Sequence, residues 1–189
     1  MSSCTAVRTI GWTNRNGVPG SSTPIVRTAV HDDIPQASRG LRHAEAARLL
    51  SAEGADLDAV CAHLLVCEPA GSADVVERLQ AAAARAISRG APESAVAYLR
   101  RGLAETADVS LRALLARDLG RAEKVLGDPA AAEHLRESLR LTRDPVMRAA
   151  IVPDLAELLL LGGQWEAGTA LIREALAELA DRDLSLIHI

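Results

Sequence analysis

The sequence contains no phenylalanine, a single tyrosine (Tyr98) and two tryptophans (Trp12 and Trp165). Aromatic and β-branched side chains suit the pleated, half-buried surface of a strand, so their scarcity argues against a sheet-built core. Cysteine is sparse as well. Cys4, Cys61 and Cys67 cannot form a disulfide framework. The dense cysteine spacing of small secreted domains is missing, which makes a reducing cytosol the expected compartment. No apolar run nears the ~20 residues of a membrane span. Residues 1–21 are polar and hold no signal-peptide core. A strong basic balance is also absent. The net charge is −4, whereas proteins that grip phosphates show a basic surface. The most basic stretch, 85–124, has eight Lys/Arg against five Asp/Glu, a pattern ordinary on solvated helix faces. Direct contact with nucleic acid is therefore not expected. No GxxxxGK[ST] phosphate loop occurs, so the sequence shows no visible means of cradling a nucleotide's phosphates.

Alanine and leucine dominate what is present. The chain is 49% hydrophobic and 24% charged, enough to bury a core in one substantial domain or two small ones. These two residues are among the best helix formers, so the expected fold class is all-α. Arginine outnumbers lysine overwhelmingly, Lys124 being the only lysine, which points to a GC-rich genome.

Residues 1–23 show no helical period and hold Asn-Gly, Pro-Gly and Ser-Ser breakers, so they read as disordered or as a foreign start. A short helical piece is expected over 24–31. Asp32–Pro35 breaks the chain, and Ala37, Leu41, Ala44 and Leu49 then share one face of a helix ending at Gly54. A shorter helix is expected over 57–66, then a loop at Glu68–Gly71.

From Ser72 onward the pattern repeats. Ser72 is an N-cap, and Val76, Leu79, Ala83, Ala86 and Ile87 form a stripe. Gly90-Ala91-Pro92 stops one helix and starts the next, on which Ala95, Leu99 and Leu103 face inward. Over 109–126, Leu111, Leu115, Leu119, Ala122 and Leu126 share a stripe. Gly127-Asp128-Pro129 repeats the stop, with Asp128 as N-cap and Pro129 in the first turn, ahead of Leu135 and Leu139. Asp144-Pro145 opens a helix to Leu161 that Pro153 should kink or split. Gly162-Gly163 closes it, and a last helix covers about 165–180. Trp165, at its start, is expected to pack between helices. Gly102, Gly120 and Gly168, inside helices, mark close helix contacts.

Gly90, Gly127 and Gly163 are separated by 37 and 36 residues, and leucine or isoleucine recurs nine and thirteen residues after Gly90 and Gly163, and eight and twelve after Gly127, where the loop is one residue shorter. This approaches the ~34-residue tetratricopeptide period. The expected architecture is a right-handed solenoid of helical hairpins over 72–183, preceded by a small helical subdomain over 24–71. A hairpin of this kind buries its apolar side only by stacking on neighbours.

Candidate chemistry is thin. Cys61, His63 and Cys67 invite a metal reading, yet six residues turn a helix through about 600°, so the two cysteines face different ways. The bland alternative is a buried apolar thiol. His43 and His134, beside Arg and Glu, read as solvated positions. No catalytic, cofactor-binding or metal-ligating residue is expected, and no enzyme activity.

Several segments together resemble a known family. They are Pro24–Val30, Asp33-Ile34-Pro35, His43–Leu50, Val60–Leu65, Glu77-Arg78-Leu79 and, carrying most of the likeness, Gly90–Arg101 (GAPESAVAYLRR). These are similar to the central part of large ATP-binding LuxR-family transcriptional regulators of actinobacteria. The resemblance covers about residues 24–183. It implies that residues 24–71 end an ATPase module and that tetratricopeptide-like helices follow. It further implies that ATP would bind only in an upstream module and that a helix-turn-helix domain would lie downstream. The expected function is to relay or sense a signal inside such a cytoplasmic regulator. The expected partners are a protein or small effector on the concave repeat face and the neighbouring modules, with no membrane. The alternative is a free-standing tetratricopeptide-like adaptor for protein–protein interaction.

Leu184–Ile189 (LSLIHI) breaks the Ala/Arg/Leu texture. It is what CTG TCT CTT ATA CAC ATC encodes, a string matching the end sequence of transposase-based library adapters. These six residues are expected to be an adapter-encoded artefact on a fragment of a longer gene.

Overall fold

The structure is a computed structural model that describes residues 36–180, with side chains over 39–178. The expected piece at 24–31, the leading 23 residues and the LSLIHI tail lie outside the described residues. Contacts divide the chain into two units, 1–39 and 40–189. The first enters the described residues only as the opening turn of a helix, and all that follows concerns the second.

All the regular structure described is helical: α1 (Gln36–Ala52), α2 (Leu57–Leu64), α3 (Ala73–Ser88), α4 (Pro92–Glu105), α5 (Val109–Leu126), α6 (Ala131–Leu141), α7 (Pro145–Leu161) and α8 (Trp165–Ala180). The all-α expectation holds for these residues. From α3 on, each helix packs chiefly against its neighbours in sequence. No described helix is long and apolar enough to cross a membrane.

Local chemistry sets the boundaries. Asp56, Ser72, Asp108 and Asp144 each turn a side-chain oxygen onto a first-turn N–H, a cap worth about 1 kcal/mol. Pro92 and Pro145 sit in first turns, where a missing N–H leaves no bond unmade. At the other ends, Gly54, Gly90, Gly127 and Gly163 have φ of 69°, 71°, 70° and 74°. At each, the following N–H reaches back to the carbonyl five residues earlier: Ala55 to Leu50, Ala91 to Ala86, Asp128 to Glu123 and Gln164 to Leu159, at 2.8–3.0 Å. The glycine's own N–H takes the carbonyl three residues back. This paired closure satisfies carbonyls that the helix end would orphan. It recurs at intervals of 36, 37 and 36 residues.

A second joint recurs as well. Thr106 Oγ1 accepts from Asp108 N, and Thr142 Oγ1 from Asp144 N. Four residues after each aspartate an arginine donates to a carbonyl of the preceding helix, Arg112 to Leu103 at 3.4 Å and Arg148 to Leu139 at 3.0 Å.

The core runs from Ala47 and Val60 through Val76, Leu79, Leu99 and Leu115 to Ala122, and a second cluster gathers Leu135, Ile151, Leu155 and Leu159. The interior glycines mark close contacts, as expected. A Cβ on Gly120 would lie 2.7 Å from Leu135 Cγ, on Gly168 3.0 Å from Leu160, and on Gly102 3.4 Å from Leu115. Ser138, fully buried, donates to Ala113 O at 2.7 Å and locks α6 to α5.

Several expectations need correction. On α1 the buried residue is Ala47, while Leu41 and Leu49 are 75% and 46% exposed. His43 meets His63 of α2, Nδ1 to Nδ1, at 2.8 Å, and Ala47 and Leu50 carry the core side of α1. Ile87 and Leu126, in the last turns of their helices, are exposed. Asp128 does not cap α6 directly. Its carboxylate accepts from Ala130 N, which shapes a turn, and α6 begins at Ala131. Helix α2 stops at Leu64, two residues early. Pro153 leaves α7 unsplit. A proline crowds the carbonyls of the preceding turn, and one of these, Ala150 O, accepts from Arg121 Nη2 at 2.8 Å.

Candidate functional site

The residues weighed from sequence do not converge. Cys61 is fully buried with Sγ toward Arg78 O, while Cys67 Sγ faces His63 O and Gly40 O. The two thiols thus point to different elements. Burial pushes the Cys61 thiol up to about 11, the behaviour of a small apolar side chain. Among the described residues no group of three His, Cys, Asp or Glu is placed to hold a metal. Trp165 is 66% exposed, contrary to expectation. It opens α8 before that helix closes on α7, and Gly168 and Leu171 make the contact instead.

Two acidic residues that sequence reading passed over organise the polar interior. Glu123 of α5 is fully buried. Its Oε1 takes Arg100 Nη2 of α4 at 2.7 Å, and its Oε2 meets His134 Nδ1 of α6 at 2.6 Å. Arg100 also reaches Asp128 at 3.0 Å, beside the glycine turn. One carboxylate therefore ties three successive helices. His134, expected in solvent, is held in this cluster.

Glu105, at the end of α4, is the other. It is buried and accepts from Ala70 N and Ser72 N at 3.1 and 2.9 Å, pinning the loop between α2 and α3. Its second oxygen takes Arg101 Nη1, from one turn earlier. Burial pushes this carboxyl up, but Arg101 and the two backbone N–H groups more than offset that and hold it below the ordinary glutamate value. Arg101 is itself 9% exposed, and its Nε is buried without a hydrogen-bond partner. An unmet buried donor costs about 1–3 kcal/mol.

A cleft of about 260 Å³ adjoins this pair. Ala47, Val60, Leu64 and Val75 supply its apolar wall, the exposed Arg48, Glu68 and Asp74 and the half-buried Arg78 its polar margin. Both acids carried a legible signal. Glu105 continues the stripe Ala95, Tyr98, Leu99 and Gly102, and Glu123 follows Leu119 by four residues. A charge on a buried stripe needs a partner.

Charge elsewhere is largely consumed. All eight basic residues of 85–124 are ion-paired: Arg85, Arg89, Arg100, Arg101, Arg112, Arg117, Arg121 and Lys124. By contrast, Arg136 and Arg140 of α6 make no ion pair among the described residues. They border a groove of about 480 Å³ whose apolar side is Leu139, Leu155, Leu159 and Leu171.

Compared with models of protein families, the chain matches none, and compared with curated proteins it matches none either.

Proposed function

We propose that this chain is a non-catalytic, tetratricopeptide-like interaction module, stacked as a solenoid, and the central segment of an ATP-dependent LuxR-family transcriptional regulator in the cytoplasm. The observation that carries the repeat reading is the recurrence of two joints, the glycine closure and the Thr-x-Asp cap with its arginine, at 36–37 residue intervals. Chains built from one recurring hairpin present extended surfaces to partners. The regulator reading rests on the family resemblance of residues 24–183, which is analogy rather than site chemistry.

The partner surface in this reading is the α6–α8 groove. Its leucines offer apolar area, and its rim carries two acids, Glu133 and Glu174, beside Arg136 and Arg140, so a protein segment of mixed charge suits it. Nucleic acid is a poor partner for the 85–124 stretch, because a phosphate there would compete with carboxylates already in place.

Sequencing the parent gene from an adapter-free template tests the reading. A phosphate loop encoded upstream and a helix-turn-helix downstream, with the LSLIHI codons gone, is the expected result. A genomic stop codon directly after Ile189 would overturn it in favour of a free-standing adaptor.

A further inference from the structure

Helix α8 closes on α7 through Gly168 and Leu171, and it carries a second apolar stripe that no described helix covers. Trp165, Thr169, Ile172 and Leu176 fall within roughly 60° of one another at 100° per residue. Trp165 is 66%, Ile172 37% and Leu176 61% exposed. The Thr169 hydroxyl is spent on Trp165 O at 2.8 Å, so it brings no unmet donor to the stripe. Ala170 and Glu174, which line the α6–α8 groove, lie on the opposite face of the helix. The earlier repeats show what such a stripe does. Leu99 and Leu103 of α4 stand nine and thirteen residues after Gly90 and gather in one cluster with Leu111 and Leu115 of α5. Leu135 and Leu139 of α6 gather with Ile151 and Leu155 of α7. Ile172 and Leu176 stand nine and thirteen residues after Gly163, yet they face outward.

Spacing and charge choose the occupant. The intervals along the stripe are four, three and four residues, which read the same from either end. A two-fold axis that reverses one α8 against another therefore sets Trp165 on Leu176 and Thr169 on Ile172, each pair twice. That is the self-complementarity an isologous dimer requires. The charges beside the stripe agree with it. Glu166 and Arg173 are exposed and make no ion pair among the described residues. Both lie on the flank of the stripe away from Gly168 and Leu171. The same reversal brings Glu166 of one copy beside Arg173 of the other, about 3 Å apart along the axis. An unrelated helix laid on α8 would require neither coincidence. We propose that the outer face of α8 is a homodimer interface, on which a second copy of this chain docks its own α8 antiparallel. This face lies across α8 from the α6–α8 groove and does not depend on the regulator reading.

The test is sedimentation equilibrium of the full 189-residue chain over a range of concentrations. The molar mass should climb from 19.9 kDa toward twice that value. One helix face buries less than a standard interface, so the expected Kd is on the order of 10 µM. Trp12→Phe leaves Trp165 as the only indole, and its emission should shift to the blue as the dimer forms. Leu176→Glu sets a charge against Trp165 of the other copy and should weaken association by about tenfold or more, with helical circular dichroism unchanged. Arg173→Glu and Glu166→Arg should each weaken it by about fivefold, and the two together should restore the starting Kd. That restoration reads the antiparallel arrangement itself, and it stays decisive if Leu176→Glu does not fold. A chain that stays monomeric with Trp165 emitting as in water would overturn the proposal and leave the face to another partner. A monomer with Trp165 already emitting as a buried indole would overturn it too, by placing a segment such as 181–189 over the stripe. So would a dimer indifferent to Leu176→Glu, or a double charge swap that associates no better than either single variant.

Discussion

Helices α1 and α2 reverse at Gly54, and α5 and α6 reverse at Gly127, through the same pair of backbone hydrogen bonds and the same left-handed glycine. Their packing has little in common. In the later hairpin Gly120 lets α6 come so close that a single methyl would strike Leu135, while Leu115, Leu119 and Leu135 are fully buried. In the earlier one α1 buries Ala47 and leaves Leu41 and Leu49 exposed, and the 260 Å³ cleft opens alongside. The turn thus decides where the chain reverses but not how tightly the two arms close. Closeness comes from small residues on the facing stripes and from polar locks such as Ser138 on Ala113. The looser region is instead held from outside, by Glu105 of α4 gripping the α2–α3 loop.

Removing that grip is the strongest way to break the comparison. Glu105→Ala strands the enclosed Arg101 without its partner and frees Ala70 N and Ser72 N. The expected loss is about 3–5 kcal/mol, read as a fall in the urea midpoint followed by helical circular dichroism. Adding Arg101→Ala to that variant should cost less than the two separate losses together, because the stranded charge is gone. A double variant showing simple additivity would mean that the pair does not act as a unit.

Acid should loosen the same point. Glu105 is held below its ordinary value by Arg101 and two N–H groups acting against burial, and Asp154 below its own by Lys124 and Arg121, again against burial. A depressed folded value means stability that is fully present above the unfolded value, about 4.3 for Glu and 3.9 for Asp. It is lost as pH falls through the folded value. Urea midpoints measured from pH 7 downward should stay level to about pH 5 and then drop. Glu105→Ala should show a shallower drop, and an unchanged acid slope in that variant would assign the loss to other carboxylates.

In the tight hairpin, Gly120→Ala is the matching experiment. The new Cβ would meet Leu135 Cγ at 2.7 Å and the Ala131 carbonyl at 3.0 Å. The carbonyl belongs to backbone and cannot swing aside, so α6 must shift. Overpacking of this kind costs about 1–3 kcal/mol, which outweighs the roughly 1 kcal/mol that alanine gains over glycine in a helix. A stabilised variant would show that α6 moves freely on α5.

Sequence reading recovered the helices because their punctuation is local. Gly90, Gly127, Gly163, Ser72 and Asp144 announce themselves within a few residues, and the boundaries of α5, α7 and α8 follow from them. The close approaches at Gly102, Gly120 and Gly168 were legible for a related reason, since a glycine that costs a helix about 1 kcal/mol against alanine often marks a packing contact, although Gly40 shows that it need not. Orientation was harder. The inward side of α1 is that of Ala47 and Leu50, and its contact with α2 through His43 and His63 joins residues twenty apart, which no period within α1 encodes. The exposed Trp165 shows the same limit, because size favours burial but position on the stack decides it. Glu105 and Glu123 were written into their stripes, yet naming Arg101, Arg100 and His134 as partners required the helices to be placed side by side.

The smallest expected effect lies back in the loose region, at Gly40. It sits inside α1, and a Cβ built there meets nothing within 4 Å among the described residues, whereas one at Gly120 would lie 2.7 Å from Leu135 Cγ. Alanine at this position therefore meets no steric opposition from the described residues. It also narrows the unfolded ensemble, a second gain for a helical site. Gly40→Ala should raise stability by about 0.5–1 kcal/mol, seen as a higher urea midpoint with an unchanged slope. The same substitution would then stabilise one hairpin and destabilise the other, although both close through one turn geometry. A loss of stability at Gly40 would mean that α1 packs more tightly than its exposed leucines indicate, and the contrast between the two hairpins would fail.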